Sequence, residues 1–153
     1  MVLGRPSLSL KTRSTFIPAC SLQLKQRLQL RSPADIIRHT LLIHDARADL
    51  WERWACSNGV GDIKPRQIIR LDSMTATVSA AQNGVGIALV SAPLVEPRLD
   101  AGDLVKVTDT ELATGEDYVL LARPPVRTSP FVHALMSWLT QEFCVSETEK
   151  NSI

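Results

Sequence analysis

The chain reads as an α/β domain with a mixed, mostly parallel sheet and helices on both faces. Three observations predict this. Apolar runs of strand length alternate with segments of helical period along the chain. The helical segments open on Ser or Asp, and two of them close on Gly59 and Gly84. The length of 153 residues suffices for one ordinary domain with a core.

Each element follows in order. TFIPA, from Thr15 to Ala19, is a short apolar run and predicts a strand. Ser32-Pro33 opens a short helix, with serine as cap and proline at the first helical position. TLLIH, from Thr40 to His44, has the pattern of a buried strand. Asp49 caps a helix through LWERWACSN, which places Trp51, Trp54 and Ala55 on one face. RQIIRL predicts another strand. Asp72 or Ser73 caps a helix through MTATVSAAQN, and VGIALV follows as a strand. APLVEPRLDAG is helical or irregular, while DLVKV and DYVLLAR are strands. SPFVHALMSWLTQEF closes the series as a helix with Ser129 as cap. Its apolar stripe is Phe131, Leu135, Trp138 and Leu139.

The stretch AAQNGVGIALV contains a G-x-G that invites a nucleotide reading. The order here is helix, glycine, strand. A dinucleotide fingerprint needs strand, glycine loop, helix, because the phosphate sits on the helix N-terminus. At a helix C-terminus the dipole repels anions. Gly84 is therefore a left-handed cap, and Gly86 permits close packing of helix on strand.

Composition narrows the function. A net charge of +1 gives no global signature of nucleic-acid binding. Three scattered cysteines, Cys20, Cys56 and Cys144, lack the spacing of a zinc or redox motif. They suit a reducing cytoplasm. No apolar run is long enough to span a membrane, and the first residues lack the apolar region of a secretory signal. No metal and no cofactor is expected.

An ordered series of segments resembles the C-terminal half of a LysR-type transcriptional regulator. FIPACS resembles the strand that enters the second effector subdomain of that family, although Leu22 stands where a proline is usual. RSPADIIRHTLLIHD resembles the next segment. DLWERW is similar to the paired tryptophans of the subgroup of the glycine-cleavage activator. LDSMTATVSAAQNGVGIALVSAPLVEPRLDAGDLVKV and YVLLARPP followed by FVHALMSWLTQEF complete the likeness, which covers roughly Ser14 to Phe143. The resemblance implies a periplasmic-binding-protein-like (type 2) fold. Residues 1–13 are expected to be irregular, 14–109 to form effector subdomain II, 110–145 to be the remnant of subdomain I, and 146–153 to be a tail. The family begins with a winged helix-turn-helix, and nothing before Thr15 suits one. The expectation is thus an N-terminally truncated, cytoplasmic fragment whose stripe from Phe131 to Leu139 has little to bury against.

In open α/β sheets, ligands bind beyond the carboxyl ends of the strands. Those ends point to Ser21, His44, Ser73 and Ser91 as ligand-binding residues. The resemblance adds Met74 and Thr75 beside Ser73, where the family carries an effector loop. Hydroxyls near a helix N-terminus favour a carboxylate, although capping alone also accounts for Ser73. His44 and Cys20 as a base and nucleophile have no third partner, and no catalytic residues are expected. Trp51 and Trp54 fit core packing better than ligand stacking, and Arg66 and Arg70 fit a solvated strand edge. The implied function is small-metabolite sensing within a transcription regulator. The partners would be a small-molecule effector, copies of the same chain or full-length relatives in a mixed oligomer, and DNA only through the absent N-terminal domain, with no membrane. A stand-alone solute-binding protein is the alternative.

Overall fold

The computed structural model describes residues 7–121 and 129–145. In chain order the elements are β1 (Ser7–Cys20), α1 (Leu22–Arg27), α2 (Pro33–Ile36), β2 (Thr40–His44), α3 (Leu50–Ser57) and β3 (Gln67–Leu71). They continue with α4 (Met74–Gln82), β4 (Ile87–Ser91), α5 (Ala92–Asp100), β5 (Val105–Lys106), β6 (Leu112–Leu121) and α6 (Pro130–Val145). The chain divides into two compact units, one of residues 15–114 and one of residues 1–14 with 115–153.

Among the described residues six strands form one sheet in the order β3-β2-β4-β1-β5, with β6 also paired to β1. β2 runs parallel to both β3 and β4. β1 is antiparallel to its neighbours β4 and β5. The sheet is therefore mixed, as expected, and the reversed strand β1 lies inside it.

Side chains of the central strands alternate between two cores, as the period of two requires. Phe16 and Cys20 of β1, Leu41 and Ile43 of β2, and Ile87 and Leu89 of β4 face one side. There they meet Ile36, Leu50, Trp51, Trp54 and Ala55. Ile17, Ala19, Leu42, Ala88 and Val90 face the other side and meet Val78 and Ala81 of α4, Val95 of α5, and Leu104. Every residue of β4 is buried, which explains its unbroken apolar sequence. Burying each large side chain is worth about 1.5–3 kcal/mol, so two such layers hold this unit together.

Trp51 and Trp54 belong to the first core. They are 3% and 0% exposed, and their rings meet edge to face at 5.6 Å. The Trp51 indole N–H donates to the Leu42 carbonyl at 3.0 Å, which ties α3 to β2.

Three local details differ from the sequence reading. Residues 7–13 are strand, not irregular; the alternation Ser-Leu-Ser-Leu was the available signal, and β6 supplies the partner. A helix, α1, follows Ser21 where none was expected. Gly86 serves strand against strand: a Cβ there would lie 2.7 Å from the Thr40 carbonyl of β2. Gly84, at φ +72°, closes α4 as expected.

In the other unit, α6 starts at Pro130 with the His133 N–H bonded to the Ser129 carbonyl. Phe131, Leu135 and Trp138 are 87%, 49% and 54% exposed, so this stripe is largely unburied. Residues 1–6, the last two of the expected 117–123 strand and the 146–153 tail lie outside the described residues.

Candidate functional site

The three parallel strands end together. His44 is opposite Leu71 in the β2–β3 register. Leu42 is opposite Ala88 in the β2–β4 register, which brings His44 level with Val90. One step beyond lie Asp45, Asp72 and Ser91. β1 enters this edge from the opposite direction, with Phe16 paired to Ser91.

Ser73 caps α4 from this edge. Its Oγ accepts the Ala76 N–H at 3.2 Å, and its carbonyl accepts both the Thr77 N–H and the Thr77 hydroxyl. Capping is thus its observed role, and it holds the N-terminus of α4 against the ends of the strands. Met74 is partly buried and packs against both cores, so it pins the first turn of α4 over the sheet. Thr75 is exposed. Ser91 is buried at the junction of β4 and α5.

His44 is half-buried at the tip of β2, and its buried Nδ1 has no hydrogen-bond partner among the described residues. Beside it Asp45 accepts from the Arg70 guanidinium at 3.1 Å, with both side chains more than half exposed. At that exposure such a pair contributes at most about 1 kcal/mol, so it is free to re-pair with a competing anion. The Arg47 guanidinium lies over the Phe16 ring at 5.3 Å. Arg47 was not legible as a site residue, because its partner ring is remote in sequence and no local pattern marks the contact.

Ser21 does not join this group. β1 runs antiparallel to β4, with Ala19 opposite Ala88, so its carboxyl end lies at the amino ends of the parallel strands. The Ser21 N–H donates to Ala81 near the far end of α4, and its Oγ accepts the Leu24 N–H at 3.2 Å. From Ser73 to Ala81 is about 12 Å along a helix. Ser21 is a buried cap of α1, and the strand-end rule picks it out because nothing in the sequence states which way β1 runs.

The same reversal separates Cys20 from His44, so the two cannot act as nucleophile and base. Burial pushes the Cys20 thiol up to about 11, against the opposing charge of Lys25, and keeps it protonated. Among the described residues no group of His, Cys, Asp or Glu is arranged to hold a metal ion, and no helix is long and apolar enough to cross a membrane.

The edge thus gathers an imidazole, two arginines, the carboxylates of Asp45 and Asp72, hydroxyls and the positive end of a helix dipole. Free N–H groups and the dipole favour negative charge there.

Residues 11–144 match the family described as the LysR substrate binding domain. The HTH-type transcriptional activator AmpR of Pseudomonas aeruginosa is 34% identical over 115 residues, which is 74% of this chain and 38% of that protein. The glycine cleavage system transcriptional activator of Escherichia coli is 27% identical over 136 residues, which is 88% of this chain and 44% of that protein. Among solved structures, the effector domain of AmpR of Pseudomonas aeruginosa superposes with a TM-score of 0.82 at 27% identity, covering 99% of this chain and 72% of that one. The chain therefore spans about two fifths of the length of these curated relatives.

Proposed function

The chain belongs to the LysR substrate binding domain family, and from that premise we propose that it binds a small-molecule effector within a LysR-type transcriptional regulator. The carrying observation is the common edge at which β2, β3 and β4 end, with His44 and Ser91 at strand ends there and Ser73 capping α4. Met74 and Thr75, the first two residues of α4, complete the proposed site. The chemical class that fits is a small carboxylate, drawn by the α4 dipole and by Arg70. Effector occupancy would bias one packing of the regulator and so act on its DNA-binding part. The tryptophan pair and the similarity to AmpR and the glycine-cleavage activator support a place beside those activators. The relatives are regulators rather than enzymes or transporter-linked carriers, so the solute-binding alternative is not favoured.

The test is thermal unfolding of the full chain against a panel of small carboxylates and their uncharged amides. A binding carboxylate at a hundredfold excess over its Kd adds about 2.7 kcal/mol. Ser73→Asp separates the roles of that residue. Aspartate caps as well as serine, so the unliganded melting temperature should hold. Its charge would repel a carboxylate, so the ligand-induced rise should vanish. A rise that survives S73D unchanged would move the site away from α4.

A further inference from the structure

We infer that Arg53 and Gly115 form a peptide-plane latch, in which Arg53 holds the Thr114–Gly115 peptide in one of two available orientations. The inference concerns α3 and β6 and does not depend on which effector is bound.

Arg53 stands in the second turn of α3. Its Nη1 donates to the Asp49 carboxylate at 3.2 Å, and its Nη2 donates to the Thr114 carbonyl at 3.1 Å. The i,i+4 pair with Asp49 fixes the guanidinium plane, and the second nitrogen is thereby aimed at a carbonyl 61 residues away. That carbonyl belongs to the peptide group whose N–H is that of Gly115.

Gly115 has φ +72° inside the strand β6. A strand residue there is normally at negative φ, and a left-handed glycine marks a local break in the ladder. Nothing lies within 4 Å of a Cβ built on Gly115. Glycine is therefore needed at this position for its backbone angle and not for space.

These two facts are one fact seen from both ends of a peptide group. Turning that group through half a revolution reverses the Thr114 carbonyl and takes φ of residue 115 to about −110°, in the broad β region. The left-handed form, the one present, keeps the Arg53 bond inside β6. The flipped form loses the bond and gives residue 115 an ordinary strand φ, while ψ of Thr114 turns by the same half revolution. Arg53 is thus a positioning residue, and it acts where the chain passes from one compact unit to the other, between residues 114 and 115.

The experiment uses nuclear magnetic resonance on the full chain, with two readouts. The intraresidue amide-to-Hα Overhauser effect at residue 115 reports its hand, and the carbonyl shift of a labelled Thr114 reports its hydrogen bond. Asparagine tolerates the left-handed region and valine does not. Gly115→Asn should keep the left-handed signature and the native Thr114 shift. Gly115→Val should lose both, since a side chain disfavours the left-handed form by about tenfold or more. Arg53→Gln should shift the Thr114 carbonyl in the same direction as G115V, and adding it to G115V should produce no further change. Arg53→Lys, which keeps the charge and the pair with Asp49, should fall between. An extended signature in G115N, or an R53Q shift that adds in full to that of G115V, would overturn the latch. The G115N and R53K arms decide the matter even where G115V fails to fold.

Discussion

Ser21 and Ser73 cap helices in the same way, each accepting a backbone N–H at 3.2 Å, from Leu24 and Ala76. They stand at opposite ends of one sheet. Ser21 is 3% exposed, and a Cβ on Gly84 would lie 3.0 Å from its hydroxyl. Ser73 is half-open, at the head of a nine-residue helix and beside the strand ends that carry His44 and Ser91. The end with Ser21 is sealed by close backbone approach. The end with Ser73 is lined by charged groups that are exposed enough to exchange partners. The capping chemistry is identical and structural at both ends, and what differs is the surroundings, closed around Ser21 and open around Ser73.

On that contrast, changes at the sealed end cost stability, and changes at the open end that leave the Ser73 cap in place do not. The largest effect is expected for Gly86→Ala. Its new Cβ would fall 2.7 Å from the backbone oxygen of Thr40, which cannot swing away as a side chain could. Overpacking of this kind costs about 1–3 kcal/mol. Urea unfolding should show a lowered midpoint with an unchanged slope. A neutral G86A would mean that the sealed end has slack, and the contrast would fail there.

A smaller effect sharpens the comparison directly. Ser21→Ala removes a buried cap and should cost about 1–2 kcal/mol. Thr75→Ala, in the first turn of α4 at the open end, should stay within about 0.5 kcal/mol. Equal losses measured by chemical denaturation would show that both ends are structural.

The smallest effect concerns Asp35, which serves the short helix leading into β2. Its carboxylate accepts the backbone N–H groups of Arg31 and Ser32, and these bonds hold its pKa below the ordinary 3.8. Because the folded value is depressed, the contribution is present above the unfolded pKa and fades as pH falls through the folded one. Acid unfolding of Asp35→Asn should therefore differ little from the parent at the lowest pH and should fall behind it as pH rises past the carboxylate range. A constant offset at every pH would mean that the group acts by something other than charge.

The elements themselves were largely legible because their causes are local. The unbroken run Ile87–Ser91 gives a buried strand, Ser73 gives a cap, and Gly84 gives the left-handed stop. His44, Ser73 and Ser91 were also legible, since each follows an apolar run at a point where a strand must end. Ser21 looked the same locally, and nothing in FIPACS states which way its strand runs relative to its neighbours. Arg47 and Arg53 carried no signal at all. Each is an ordinary surface residue by sequence, and each acquires its role from a partner, Phe16 or Thr114, that only the sheet brings near.

By itself, then, the sequence determined which segments fold into which elements, which faces they bury, and the family to which the ordered series belongs. These depend on side-chain period, capping and φ preference, all set within a few residues. Only the tertiary structure decided that β1 lies antiparallel between β4 and β5, and so sent Ser21 and Cys20 to the end opposite His44. Strand direction is fixed by pairing across long sequence separations, because a strand's hydrogen bonds belong as much to its neighbour as to itself.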